Sequence, residues 1–458
     1  MKNMTIEAIA RAVGGIAYNT TGYEEKTAAG VVIDSRQVEK DFIFIAIKGE
    51  RVDGHDFIEN VYEKGALAVV SEHELPDNTR PYILVKSGTE ALKDMAAYYR
   101  ANLDIKIIGI TGSVGKTSTK EFIASVLSEK YNVLKTEGNF NNEIGLPLTI
   151  LRIREEHEIA VIEMGISHFG DMKPLGLIAK PDICVITNIG YCHLENLIDR
   201  DGVLKEKSSM FEYAADNAEY VLNLDDDKLA SIKEVKGKKP VYISFDDRRA
   251  QVHVNEITQN GIEGTECNIS VCGKNIDVNI PLPGKHMVLN GLMACAIGEL
   301  CGVSTDQMKS GIEKLQPVGG RVNIIRKNGY TIIDDCYNAN PVSMKASIDV
   351  LGYAEGHKTA ILGDMFELGI NEKELHGSIG EYISHTDTEL LITIGSLSRY
   401  IDEYAEKNGF KGKRVHFDNL EEFLSSYDSY LHNDGSETIL VKASHGMHLE
   451  KIINALTK

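Results

Sequence analysis

One segment, IKIIGITGSVGKTSTKEF at residues 105–122, constrains the fold of this chain more than any other. Its apolar start is typical of a buried parallel strand, and the residues after the Gly-containing turn follow a helical pattern. Backbone N–H groups of such a turn, together with the positive end of the helix, form a cradle for phosphate oxygens. The alternative interpretation is that this Gly-containing turn only connects a strand to a helix and binds no phosphate. We predict a phosphate site formed by Thr111, Gly112, Ser113, Val114, Gly115, Lys116, Thr117 and Ser118.

Lys116 and Thr117 carry the chemistry expected of this turn. The lysine would neutralise the β- and γ-phosphates of a nucleotide, and the threonine hydroxyl would reach Mg²⁺. The usual pattern places a glycine five residues before the GK pair, but here Ile110 stands there and the nearest glycine is Gly112. The turn is therefore a shortened variant, TGSVGKT.

The rest of the chain divides into three α/β regions. Short strands and helices precede the polar ANLD segment, and buried strands alternate with helices after it, as in a doubly wound sheet. Alternating residues from about 250 to 281, with turns at QNG and CGKN, indicate an antiparallel flank. We predict a small N-terminal α/β domain at 1–102, a central doubly wound P-loop ATPase-like domain at 103–316, and a Rossmann-like α/β domain at 317–458. The last lacks G-x-G-x-x-G after its first strand, so no dinucleotide site is predicted.

Composition excludes several classes of protein. The net charge of −19 disfavours a nucleic-acid binder, which needs a broad basic face. No apolar run reaches the ~18 residues of a membrane span, and the N-terminus lacks the pattern of a signal peptide. The seven Cys form no C-x-x-C pair, and we expect them to be buried thiols in a reducing compartment. We expect a cytoplasmic monomer.

Several segments resemble the Mur ligase and folylpolyglutamate synthetase superfamily, and the resemblance spans essentially the whole chain. They are TGSVGKT, GNFNNEIGLPLTIL, EMG, TNIGYCHLE and KSSMF, in the order of the family. DSRQV, KGERVDGHDF, DDCYNANPVSM and GDMFELG resemble the members that add D-alanyl-D-alanine, and the D-N-P-R-type motif of the members that add diaminopimelate or lysine is missing. The resemblance implies an ATP-dependent ligase of peptidoglycan synthesis. Its substrates would be ATP, UDP-N-acetylmuramoyl-tripeptide and D-alanyl-D-alanine, joined through an acyl phosphate.

The resemblance also implies two Mg²⁺ sites. Glu163 and His193 each end or follow a predicted parallel strand, where α/β sheets place ligand sites, and could hold a second Mg²⁺. Alone, each residue would be interpreted as a solvated or hydrogen-bonded side chain. Lys207 matches the family lysine that CO₂ carbamylates, giving an anion that organises this metal; the alternative is an exposed lysine of the KEK run. The implied catalytic residues are thus Lys116, Glu163, His193 and Lys207.

Further residues are assigned to nucleotide and substrates by the same resemblance. His286 and Asn290, at i and i+4 of a helix start, resemble the adenine contact, with a packing polar pair as the alternative. Arg321 would reach the nucleotide phosphates on domain closure. Asp335, Tyr337 and Asn338 would meet the ribose or the dipeptide. Ser35, Arg36 and Lys48 would contact the UDP-sugar, and Asn142 is a further substrate candidate. His445 stands where the family usually has an arginine.

Two other functions remain open at this stage. A sister Mur or folylpolyglutamate-type ligase would add a single amino acid in place of the dipeptide. An ATP-dependent switch would close on nucleotide without ligation.

Overall fold

Three β-sheets, one in each predicted region, organise the chain. The computed structural model describes residues 1–76, 79–317, 319–432 and 435–458. The first predicted boundary falls between the first and second sheets and the other between the second and third, and their positions after 102 and 316 remain predictions. No helix within the described ranges is long and apolar enough to cross a membrane.

The first region has a five-stranded sheet in the order β1-β5-β4-β3-β2, parallel except for β1. Its strands and helices are β1 (Ile16–Tyr18), β2 (Gly30–Val32), β3 (Phe42–Ile45), β4 (Ala68–Ser71), β5 (Tyr82–Leu84), α1 (Ile6–Ala12), α2 (Ile58–Glu63) and α3 (Gly88–Ala101). Helix α1 begins where the Thr5 hydroxyl accepts a hydrogen bond from the N–H of Ala8 at 3.2 Å, as an N-cap does.

The central region has nine strands in the order β14-β13-β12-β11-β10-β9-β6-β8-β7, with β12, β13 and β14 joined as antiparallel hairpins. The strands are β6 (Lys106–Thr111), β7 (Val133–Lys135), β8 (Ile159–Glu163), β9 (Ile183–Ile186), β10 (Glu219–Asn223), β11 (Val241–Ser244), β12 (Val252–Gln259), β13 (Thr265–Val271) and β14 (Lys274–Ile280). The helices are α4 (Lys116–Ser128), α5 (Gly145–Leu151), α6 (Met172–Ala179), α7 (Leu194–Leu197), α8 (Arg200–Ser208), α9 (Met210–Tyr213), α10 (Asp227–Ala230), α11 (Lys285–Leu300) and α12 (Thr305–Glu313).

The third region has six strands in the order β15-β16-β20-β17-β18-β19, all parallel except β15. The strands are β15 (Asn323–Lys327), β16 (Tyr330–Asp334), β17 (His357–Gly363), β18 (Leu390–Ile394), β19 (Lys413–Phe417) and β20 (Glu437–Lys442). The helices are α13 (Pro341–Gly352), α14 (Glu372–Ile383), α15 (Arg399–Lys407), α16 (Leu420–Leu424) and α17 (Glu450–Leu456). The edge strand β15 was not predicted, because its residues NIIRK are only partly buried and show no continuous apolar run.

The antiparallel flank confirms the turn at CGKN and corrects one expectation. Val271 pairs with Lys274, so Cys272 and Gly273 form a two-residue hairpin turn with φ values of 49° and 87°. Two positive φ values are what a type I′ turn requires. This position leaves Cys272 exposed, whereas the other six Cys are buried as expected.

The order of the strands determines where a ligand can bind. β6 lies between β9 and β8, so the carboxyl ends of these three strands meet at one edge of the sheet. In doubly wound sheets this is where the direction of winding changes and a crevice forms. The turn after β6, Glu163 at the end of β8 and the loop after β9 therefore converge.

A buried histidine in the third region predicts a dependence of stability on pH. His376 is fully buried, its Nδ1 donates to the carbonyl of Glu372, and its Nε2 accepts from the N–H of Met365. Burial lowers its pKa, with Asp364 and Glu372 opposing this effect. The unfolded chain, with a histidine pKa of about 6.5, therefore binds the proton first as the pH falls.

We expect His376 to reduce the free energy of unfolding by about 1 kcal/mol between pH 7.5 and 5.5. Urea denaturation of wild type and His376→Gln at both pH values measures this, and the variant should show the smaller pH dependence. His168→Gln is the matched control, because the His168 side chain is 66% exposed. Equal pH dependence in wild type and His376→Gln would contradict the prediction.

Candidate functional site

The turn between β6 and α4 has a backbone that requires glycine at two positions. Gly112 has φ +152°, and a Cβ there would lie 1.9 Å from Oγ1 of Thr187. Gly115 has φ +81° and is the N-cap of α4 without a side-chain hydrogen bond. The first N–H groups of α4 are thus left for a ligand, which is the geometry of an anion-binding helix end.

The loop after β9 holds this turn in place. Asn188 accepts from the N–H of Val114 at 3.0 Å and donates to the Val114 carbonyl at 3.0 Å. The Thr187 hydroxyl donates to the same carbonyl at 2.6 Å. Because these bonds fix both polar groups of Val114, the turn is organised before a nucleotide arrives.

Three predicted residues meet at the start of α4. Thr117 donates its hydroxyl hydrogen to Oε2 of Glu163 at 3.0 Å, and Asn141 donates to Oε1 at 2.8 Å. Lys116 lies over the turn, with Nζ donating to the Gly112 carbonyl at 2.9 Å. A cation, a hydroxyl and a carboxylate are therefore arranged around the place where the turn would hold phosphates.

His193 lies in the loop after β9 in a left-handed conformation, with φ 52°. Its Nδ1 is 2.5 Å from Oε2 of Glu367 in the third region. The atoms are at ion-pair distance, and Nδ1 makes no aligned hydrogen bond to the residues that the structure describes. The contact lowers the pKa of Glu367.

Lys207 is completely buried, which excludes its interpretation as an exposed lysine of a charged run. Its Nζ has no hydrogen-bond partner among the residues that the structure describes. Burial, with a contribution from the charge of Lys116, lowers the pKa of Lys207 to about 8. At pH 7 about a tenth of this amine is therefore unprotonated, far more than for an ordinary lysine.

The donor set suits Mg²⁺ better than a transition metal. Within the described ranges, no group of three or more His, Cys, Asp or Glu side chains is placed to hold a metal by itself. Mg²⁺ commonly takes one or two carboxylates and completes its shell with phosphates and water. The Thr117 hydroxyl and the Glu163 carboxylate fit a cation that arrives with a nucleotide.

A cleft of about 620 Å³ connects the phosphate turn with the third region. Fifteen of the residues predicted from sequence line it: Ser113, Val114, Gly115, Lys116, Thr117, Ser118, Asn142, Glu163, His193, His286, Asn290, Arg321, Asp335, Tyr337 and Asn338. The remaining predicted residues, which do not line the cleft, are Thr111, Gly112, Lys207, Ser35, Arg36 and Lys48. Their roles, like those of the lining residues, remain predictions.

Three of the residues outside the cleft make polar contacts with other groups of the protein. The Thr111 hydroxyl is buried and donates to the Met164 carbonyl at 2.8 Å, beneath the turn. In the first region, Arg36 forms an ion pair with Asp34 at 2.7 Å. The Ser35 carbonyl accepts from Lys64 at 2.7 Å.

The third-region residues in the cleft differ in how many contacts their side chains already make within the protein. Arg321 stacks on the ring of Tyr337, with the guanidinium carbon 4.1 Å from the ring centroid, and His445 lies 5.6 Å from the same ring. Asp335 is engaged by the protein, because its carboxylate accepts from Lys442 at 2.6 Å and from the N–H of Val322 at 3.2 Å. The carboxylate therefore holds the buried Lys442 side chain at the cleft.

The start of α11 both packs against α4 and lines the cleft, and its contact with adenine remains a prediction. Asn290 accepts from the Thr119 hydroxyl at 2.9 Å, which ties α11 to α4, and it also lines the cleft. Burial lowers the pKa of His286 to about 4. The imidazole is therefore neutral at pH 7, with both a donor and an acceptor nitrogen.

Sequence reasoning missed several polar residues of the cleft: Asn139, Asn141, Ser167, Thr187, Asn188, Asn223, Asp225, Asp226, Ser343, Ser347 and Lys442. Asn188, Asn223 and Lys442 lie at or just after the carboxyl ends of parallel strands, so that position was an available signal. Ser343 is the N3 residue of the capping box that begins α13, and Ser347 lies one turn later, so their local pattern indicates a helix start and not a ligand site.

Three family models match the chain in consecutive segments. The Mur ligase family catalytic domain matches residues 27–100, the Mur ligase middle domain matches 110–298, and the Mur ligase glutamate ligase domain matches 320–445. These segments correspond in order to the three sheets.

Full-length relatives share the same description. The UDP-N-acetylmuramoyl-tripeptide–D-alanyl-D-alanine ligase of Bacillus subtilis strain 168 is 36% identical over 100% of this chain and 99% of its own. The enzyme of that name from Escherichia coli K12 is 31% identical, with 94% of each chain covered.

Solved structures agree with these relatives. MurF from Acinetobacter baumannii superposes with a TM-score of 0.89 at 30% identity, covering 99% of this chain and 98% of that one. The MurF ligase from Thermotoga maritima in complex with ADP has a TM-score of 0.81 at 30% identity, covering 93% and 96%. These matches agree with the phosphate turn and the cleft. The chain therefore belongs to the Mur ligase family.

Proposed function

We propose that this chain is an ATP-dependent ligase that adds D-alanyl-D-alanine to UDP-N-acetylmuramoyl-tripeptide in peptidoglycan precursor synthesis. The observation that carries the proposal is the full-length similarity to ligases of that name, at 36% and 31% identity. The phosphate turn at one end of a cleft that extends to the third region supports it independently. We also propose that the reaction takes place in the cytoplasm and that the active form is a monomer.

Ligation proceeds in two displacements. A carboxylate oxygen of the tripeptide bonds to the γ-phosphorus of ATP, and the bond from that phosphorus to the β–γ bridging oxygen breaks, releasing ADP. The dipeptide amine then bonds to the acyl carbon, the carbon–oxygen bond to phosphate breaks, and phosphate leaves while the ammonium proton passes to water. Positioning and electrostatic stabilisation supply most of the catalysis in phosphoryl transfer.

The residues around the phosphate turn would perform the first step. The N–H groups at the start of α4 and the Lys116 ammonium stabilise negative charge on the transferring phosphoryl group. Thr117 would hold Mg²⁺ on the nucleotide, and Glu163 and His193, with Lys207, would hold a second ion. Bound Mg²⁺ supplies Lewis-acid polarisation of the phosphate oxygens.

The three regions would divide the substrates among them. Ser35, Arg36 and Lys48 of the first region would bind the UDP-sugar, and Asn142, which lines the cleft, would contact the peptide substrate. His286 and Asn290 contact the adenine. Arg321, with Asp335, Tyr337 and Asn338, faces the nucleotide and the dipeptide from the third region.

Lys207 is proposed to carry a carbamate. Its unprotonated Nζ forms a bond to the carbon of CO₂ and loses a proton to water, giving an anion in place of a buried amine. The burial and missing partner of this amine support the proposal. A carbamate carbon signal in ¹³C NMR after exposure to labelled bicarbonate, absent in Lys207→Met, is the expected result.

The test of function is phosphate release from ATP with UDP-N-acetylmuramoyl-tripeptide, with and without D-alanyl-D-alanine. We expect turnover that depends on the dipeptide and a UDP-pentapeptide identified by mass spectrometry. Turnover with single amino acids and none with the dipeptide would indicate a sister ligase. Nucleotide binding without turnover on any acceptor would indicate a switch.

A further inference from the structure

A carboxylate of the third region contacts a predicted metal ligand of the central region. Oε2 of Glu367 lies 2.5 Å from Nδ1 of His193, whose side chain is 21% exposed, and that of Glu367 is 54% exposed. The contact joins the loop after β9 to the loop after β17. None of the roles assigned above uses Glu367.

The backbone at both ends of this contact is unusual. His193 has φ 52° and Glu367 has φ 62°, both in the left-handed region. A residue with a Cβ pays roughly 1 kcal/mol or more for this conformation, and such residues cluster at functional sites. The Glu367 side of the pair is 54% exposed, and an ion pair with a solvated partner contributes only about 0–1 kcal/mol, which does not offset two left-handed backbone positions.

The segment that carries Glu367 is fixed to its own region. The N–H of Met365 donates to Nε2 of His376 at 2.9 Å, and the N–H of Phe366 donates to the Ser444 hydroxyl at 2.8 Å. The next turn touches the central region, because a Cβ at Gly369 would lie 3.3 Å from the backbone nitrogen of Glu195. Glu367 therefore reaches His193 only while the third region is seated against the central one.

Metal-binding histidines commonly place their second ring nitrogen against a carboxylate, which fixes the ring and raises its basicity. With Nδ1 of His193 facing Glu367, Nε2 is the nitrogen left for the cleft that His193 lines. We propose that Glu367 is a positioning residue, through which seating of the third region orients His193 toward the second Mg²⁺. The inference rests on the proposed function in one respect, the role of His193 as a metal ligand.

The experiment compares Glu367→Gln with Glu374→Gln, an exposed residue of the same region that loses the same charge. Mn²⁺ binding to the full chain with ADP is measured by electron paramagnetic resonance, and KM for Mg²⁺ is measured in the ligase assay. We expect Glu367→Gln to weaken Mn²⁺ binding and raise KM for Mg²⁺ about 10–100-fold. KM for ATP should change less, and Glu374→Gln should behave as wild type.

A double-mutant cycle separates orientation from docking. If Glu367 acts through His193, the double variant His193→Asn with Glu367→Gln should bind Mn²⁺ no more weakly than His193→Asn alone. The inference is overturned if the losses of Mn²⁺ affinity in the two single variants add up in the double variant. It is also overturned if Glu367→Gln binds Mn²⁺ as tightly as Glu374→Gln does. Glu367→Asn, which tolerates a left-handed backbone, replaces Glu367→Gln if the latter does not fold.

The two proposals can fail separately. If the wild-type chain shows no dipeptide-dependent turnover, the proposed function is refuted. If Glu367→Gln still weakens Mn²⁺ binding in that case, the inference is supported. Normal wild-type turnover with unchanged Mn²⁺ binding in Glu367→Gln would refute the inference alone.

Discussion

Replacement of Lys116 by alanine is expected to lower kcat/KM for ligation about 1,000-fold or more, while the protein remains folded. Lys116 is the cation of the phosphate turn, and its Nζ already lies over the turn, bonded to the Gly112 carbonyl at 2.9 Å. Removing it leaves the charge of the γ-phosphoryl group without its nearest side-chain counter-charge during transfer. The side chain is only partly buried, so little packing is lost.

Dipeptide-dependent phosphate release measures the effect, and thermal unfolding checks the fold. Lys106→Ala is the matched control, because Lys106 is exposed at the opposite end of the same strand, β6. Activity of Lys116→Ala within tenfold of wild type would show that the turn does not hold the reacting phosphate in this way.

Lys207→Met is expected to become more stable and less active at once. The wild-type Nζ is fully buried without a partner among the described residues, and burial of an unpaired ammonium is costly. Methionine fills a similar volume without the charge, so the free energy of unfolding should rise by about 1–3 kcal/mol in CO₂-free buffer. Turnover should fall at least about 100-fold, because the variant cannot carry the carbamate that organises the second metal.

Calorimetry in CO₂-depleted buffer and the ligase assay in bicarbonate measure the two effects on the same preparation. An increase in stability with loss of activity is typical of a residue kept for function at the expense of the fold. A less stable Lys207→Met would mean that the amine has a stabilising partner in the folded enzyme. An active Lys207→Met would exclude the carbamate from catalysis.

Much of the fold was predictable because its signals are local. The apolar run of β6, the glycines of the turn and the helical pattern of α4 lie within 18 residues, at 105–122. Turn chemistry and periodicity depend on neighbouring residues, so the strand, turn and helix of this segment were predicted without tertiary information. The same reasoning predicted the hairpin turn at Cys272 and Gly273, but not β15, whose residues are only partly buried.

The sequence by itself thus determined the three α/β regions, the phosphate turn and the family. Only the tertiary structure decided that Lys207 is buried without a partner, that Asp335 pairs with Lys442, and that Glu367 meets His193. Each of these facts depends on elements distant in the chain packing at the carboxyl ends of two sheets. Because burial and side-chain pairing arise from that packing and not from local sequence pattern, they cannot be predicted from any single segment of the chain.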